Sequence, residues 1–118
     1  MKKVHWVGSS RKDLKGFPDD VQDELGYALT VIQYGGKPDK AKPMKEFDGV
    51  MEIISDYDTN TYRAVYAYKL GDLIYILHAF QKKSKKGIKT PKEDLKLIRQ
   101  RLKEARNHAE TRRKNQNL

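Results

Sequence analysis

Apolar residues recur along this chain with two periods, and the switch between them divides it. Val21, Leu25, Ala28, Leu29 and Ile32 fall at helical spacing and form one stripe. Pro18, at a favourable helix start, and the acids Asp19, Asp20, Asp23 and Glu24 suit the N-terminus of that helix. Gly35-Gly36 suits its end. Upstream, Val4–Val7 reads as a short strand ending at Gly8-Ser9-Ser10. Ser9 or Ser10 is placed to cap a first short helix through Leu14, which Gly16-Phe17-Pro18 interrupts. The expectation is a helical hairpin over 9–34.

Residues 37–43 are polar with two prolines and read as a loop. Three β-rich runs follow: Lys45 to Ile54 with a break near Asp48-Gly49, Tyr62 to Leu70, and Leu73 to Phe80. Asp58-Thr59-Asn60 and Gly71-Asp72 separate them at hairpin length, which predicts an antiparallel meander. After a basic loop, Thr90-Pro91-Lys92-Glu93 has the form of a capping box, with Thr90 as N-cap. Leu95, Ile98, Leu102, Ala105 and Ala109 continue as a helical stripe, and residues 111–118 read as a basic, frayed tail beyond a single domain over 1–110. The predicted class is α+β: a small antiparallel sheet of four to five strands, an N-terminal helical hairpin and a C-terminal helix.

Composition narrows the function classes. The 118 residues contain no cysteine, which excludes disulfides, thiolate metal sites and a cysteine nucleophile. His5, His78 and His108 lie far apart without acids at ligand spacing, so no metal and no cofactor is expected. The mean hydropathy is −0.88 and no apolar run approaches a membrane span. The basic N-terminus has too short an apolar run for a signal peptide, so a soluble cytoplasmic protein without a membrane partner is expected. Charge is unevenly placed: residues 1–80 hold 11 Lys/Arg against 12 Asp/Glu, residues 81–118 hold 14 against 4. A near-neutral body with one strongly basic third points to a polyanion, although a solvated helix face produces the same count.

Three segments together resemble the HigB-like, phage-related branch of the RelE/ParE toxin superfamily: Thr61-Tyr62-Arg63-Ala64-Val65-Tyr66, Ile76 to Ser84, and Lys89-Thr90-Pro91-Lys92-Glu93. The resemblance covers roughly residues 3–108. It implies a RelE-like fold, ribosome-dependent cleavage of mRNA, and neutralisation by an antitoxin that in this branch is commonly a helix-turn-helix DNA-binding protein. It also implies a phosphate-clamping role for Arg63, which sits in the strand where the family often places such an arginine.

RNA cleavage without a metal needs a base for the 2′-hydroxyl, an acid for the leaving 5′-oxygen and fixed positive charge on the phosphate. Arg63, in an apolar and aromatic strand, offers a planar fork suited to phosphate. His78 is the histidine of the sheet run and titrates near neutrality, though a lone strand histidine is more often structural. Lys82 and Lys83 follow the last strand, where crowding among cations favours a lysine base. The expected catalytic set is therefore Arg63, His78, Lys82 and Lys83. Tyr66, Tyr68 and Phe80 are candidates for stacking on bases, against the commoner fate of core packing, and Lys85 and Lys86 are candidate RNA contacts. A pair drawn from Glu46, Glu52, Asp56 and Asp58 is set aside, because acids repel a phosphate in the absence of a metal. Lys96, Arg99 and Lys103 of the last helix suit either RNA or an acidic antitoxin segment. The function expected is the toxin of a type II toxin–antitoxin system, an endoribonuclease acting on mRNA. The alternatives are a non-enzymatic ParE-like inhibitor of DNA gyrase and a basic nucleic-acid-binding module.

Overall fold

The computed structural model describes residues 1–82 and 89–117. Their elements run β1 (Lys3–Trp6), α1 (Ser10–Lys15), α2 (Asp19–Gln33), β2 (Ala41–Pro43), β3 (Val50–Tyr57), β4 (Asn60–Ala67), β5 (Leu73–Lys82) and α3 (Lys92–Gln116). The five strands make one sheet in the order β1-β5-β4-β3-β2.

The apolar stripe of α2 decides one layer. Val21, Leu25, Ala28, Leu29 and Ile32 are all buried and pack on Met51, Ile53, Ala64, Tyr66, Ile74 and Ile76 from the sheet. Leu25 is completely enclosed, so truncation to alanine there costs about 2–5 kcal/mol. The helix stops because Gly35 adopts φ 90°, which lets its N–H and that of Gly36 close on the carbonyls of Ile32 and Val31 at 2.9 Å. The expected hairpin is uneven: α1 has six residues against fifteen in α2, because Gly16 and Pro18 cut it short.

The sheet is mixed where an antiparallel one was expected. β1 pairs in parallel with β5, in register from Lys3↔Leu73 to Trp6↔Ile76. The reason is topological. The two helices carry the chain from one edge of the sheet to the other, and the three reversals of the meander bring β5 back alongside β1. The segment 37–43 is only partly a loop, since Ala41–Pro43 pairs with Met51–Ile53 as a short edge strand, where a proline is tolerated. β3 begins after Gly49 and runs past the expected end to Tyr57. It then turns through Asp58 (φ 48°) and Thr59 (φ 67°), the two left-handed residues of a type I′ hairpin closed by Tyr57↔Asn60.

The second layer is α3, whose Ile98, Leu102 and Ala105 cover Val65, Tyr75, Leu77 and Phe80 on the opposite face. Between β4 and β5 the register slips, with Val65 opposite His78 and Tyr66 opposite Ile76. Leu77 is the extra residue of this bulge, so Leu77 and His78 both lie on the α3 face. One terminal expectation needs correction. Pro91 (φ −56°, ψ 149°) is the N-cap of α3, and no side chain caps it, so the Thr90 capping box does not form. Residues 111–116 continue the helix, and Arg112 and Gln116 both donate to Asp72.

Candidate functional site

On the α3 face, cross-strand register stacks side chains into three rows. Lys42, Glu52, Val65 and His78 make the first, Ile54, Arg63 and Phe80 the second, and Asp56, Thr61 and Lys82 the third. The period-2 pleat therefore brings Arg63, Lys82, His78 and Phe80 to one face at one end of the sheet.

Arg63 is buried, and its Nη1 donates to Glu52 Oε1 across the strand pair at 2.8 Å. Lys82 is equally buried, at 6% exposure for both residues. Among the described residues, neither Arg63 Nε nor Lys82 Nζ has a hydrogen-bond partner. Burial pushes the Lys82 ammonium below the ordinary lysine value. The Arg63 charge lowers it further, Glu52 opposes, and Lys42 lowers it again. One guanidinium edge and one ammonium thus share a low-dielectric space in which, among the described residues, Glu52 is the carboxylate acting on Lys82. Two unsatisfied cationic donors of this kind suit an anion with several acceptor oxygens.

His78 is held on both sides. Its Nε2 lies 2.7 Å from Asp94 Oδ1 in the first turn of α3, and its Nδ1 faces Arg101 Nη1 at 3.5 Å. A guanidinium can only donate, so Nδ1 accepts and Nε2 carries the proton toward Asp94. Arg101 also donates to the Leu77 carbonyl and to Ser9 Oγ, tying the bulge to the start of α1. Gly8 (φ 57°) makes room for it, since a Cβ there would stand 2.7 Å from Arg101 Nε. Phe80 is buried and stacked on His78 with ring centroids 4.7 Å apart, so it braces the site from inside the core.

The other expected stacking residues lie elsewhere. Tyr66 is buried among the α2-facing residues and Tyr68 packs against the same cluster. Both are on the face opposite Arg63, because Tyr66 and Arg63 have opposite parity along β4. They do not join one RNA site with Arg63. Lys83, Lys85 and Lys86 fall outside the described residues. Glu52, Lys42, Asp94 and Arg101 enter the site without having been expected there. For Glu52 a signal was present: it is an acid flanked by apolar Met51 and Ile53, as Arg63 is the one base of its own strand.

A five-stranded sheet between two helical layers, with buried cations at one sheet end, defines a small basic α+β module. Residues 12–103 match the family described as phage derived protein Gp49-like (DUF891). The chain belongs to this phage-derived family, which is associated with RelE-like and other toxin-like proteins. No curated protein and no solved structure matches the chain. Among the described residues no helix is long and apolar enough to cross a membrane.

Proposed function

We propose that this chain is the toxin of a type II toxin–antitoxin pair, a metal-independent endoribonuclease that cuts mRNA on the ribosome. The observation that carries the proposal is the buried pair of Arg63 Nε and Lys82 Nζ, neither partnered among the described residues. In its neutral form, favoured by its lowered pKa, Lys82 takes the proton of a ribose 2′-hydroxyl. The 2′-oxygen then bonds to the adjacent phosphorus while the bond from phosphorus to the 5′-oxygen breaks. The products are a 2′,3′-cyclic phosphate and a 5′-hydroxyl, the latter receiving the proton that Lys82 acquired. Arg63 stabilises the charge on the phosphate oxygens through the guanidinium edge that Glu52 leaves free. His78 holds the N-terminus of α3 against β5 through Asp94, which fixes the wall beside Phe80. The partner that neutralises such a toxin is a cognate antitoxin, here a helix-turn-helix DNA-binding protein.

The test is induction in cells followed by mapping of RNA 5′ ends. Translation-dependent cuts within coding regions are expected from the wild type. Lys82→Met keeps the side-chain shape, so it should lose cleavage by about 10²–10⁴-fold with an unchanged circular dichroism spectrum. Arg63→Ala should also lose cleavage, but it strands Glu52 and must be read together with its melting temperature. Intact mRNA with arrested replication would overturn the nuclease in favour of a gyrase inhibitor.

A further inference from the structure

The sheet end remote from Lys82 carries a pocket of about 300 Å³ where α2 ends over the strands. Its floor is Ile32, Met51, Tyr66 and Ile74, all buried. Its rim carries Lys2 and Lys37, both exposed, and no acid among the described residues lines it. Lys2 is held there, because its Nζ donates to the carbonyls of Tyr68 and Gly71. Tyr66 is 3% exposed; burial and then Tyr68 push its phenol up to about 12, with no hydrogen bond among the described residues relieving it. Its ring is buried, while its hydroxyl is not enclosed and can meet a polar group of a molecule in the pocket.

The surroundings indicate what kind of molecule. An adjoining hollow shares Lys2 and Gly35 with the pocket and is lined by Met1 and Tyr34, which are 76% and 73% exposed. Large exposed apolar side chains beside a concave site are the mark of a protein interface rather than of a small-molecule cleft. The pocket has the size for one large apolar side chain, the kind of anchor that dominates such interfaces. The acid of the hollow, Asp72, is already paired with Arg112, which leaves the rim cationic.

We propose that this pocket grips a partner protein through one large apolar side chain flanked by carboxylates. The anchor fills the space over Met51 and Ile74, a polar group beside it meets the Tyr66 hydroxyl, and the carboxylates meet Lys2 and Lys37. The cationic flank of α3 is a weaker match for the same segment. Lys96, Arg99, Lys103 and Arg106 there share their groove with Glu46 and Asp48, and Arg99 is already stacked on Phe47. The proposal does not depend on RNA cleavage. If the nuclease reading holds, the occupant is the antitoxin, bound at the opposite end of the sheet from Arg63 and Lys82.

The experiment titrates the full ¹⁵N-labelled chain with an end-blocked peptide of sequence Asp-Glu-Phe-Glu-Asp. Controls replace the central residue by Ala, or the four acids by Lys. Saturable amide shifts at Gly35, Gly36, Lys37, Met51 and Tyr68 are expected with the acidic Phe peptide. Affinity should fall about tenfold, equivalent to about 1.4 kcal/mol, with the Ala peptide and with Lys37→Glu, an exposed change that leaves the core untouched. Shifts centred on Lys96–Arg106, equal binding of the Ala or Lys peptide, or no shift at millimolar peptide would each overturn it. Because Lys37→Glu leaves Lys82 intact, its RNA cleavage should be unchanged, which separates this proposal from the nuclease reading.

Discussion

Removing the carboxylate of Glu52 should cost this protein more than removing its partner Arg63. The two side chains are each 7% exposed and meet at 2.8 Å. In Glu52→Leu the Arg63 guanidinium stays buried with no counter-charge, beside a Lys82 ammonium that shares its space. Stranding one member of a buried pair costs about 3–5 kcal/mol. Against a total stability of about 5–15 kcal/mol, this removes a large fraction. At about 4 °C per kcal/mol for a domain of this size, the melting temperature should fall by about 12–20 °C. In Arg63→Met the stranded group is Glu52, but Lys82 and Lys42 both act in its neighbourhood and supply positive charge, so the loss should be roughly half as large. The double variant Glu52→Leu/Arg63→Met strands neither charge and should melt near the wild type. Thermal denaturation of all four proteins closes the double-mutant cycle. Losses that add within about 0.5 kcal/mol, or a mild Glu52→Leu, would refute the buried pair as drawn.

Three further outcomes follow from named contacts. Lys82→Met removes a buried ammonium with no partner among the described residues and should raise stability by about 1 kcal/mol. Since Lys82 titrates below its unfolded value, the wild-type deficit is full below its folded pKa. It should shrink as pH rises from there toward about 10.4, which denaturant melts at several pH values would track; a deficit independent of pH would count against the burial. His5, stacked on His108 at 4.1 Å, is held below the ordinary histidine value by burial, then by His108 and Arg112. Charging it therefore opposes folding, and stability should fall as pH drops below about 6.5. His5→Phe should flatten that slope in the same melts, and an unchanged slope would assign it elsewhere. Thr59→Gly relieves a β-branched residue at φ 67° and should stabilise the hairpin by about 0.5–1 kcal/mol, read as a rise in the denaturation midpoint.

What the sequence made legible was whatever depends on neighbours along the chain. The α2 stripe, its stop at Gly35-Gly36 and the hairpin at Asp58-Thr59 are local, and the structure keeps them. The parallel pairing of β1 with β5 depends instead on how many times the chain reverses before it returns, which no pattern within either strand records. The site divides the same way. Arg63 and Lys82 stand out as cations in or beside an apolar strand. Parity along β4 then separates Arg63 from Tyr66, and that much was readable without coordinates. The contribution of Glu52 was not, because acids near a phosphate look unfavourable until one sees that Arg63 has a second edge to spare. A buried guanidinium beside a buried ammonium would otherwise repel itself out of the fold. The carboxylate that seems wrong for binding an anion is what allows two cations to wait for one.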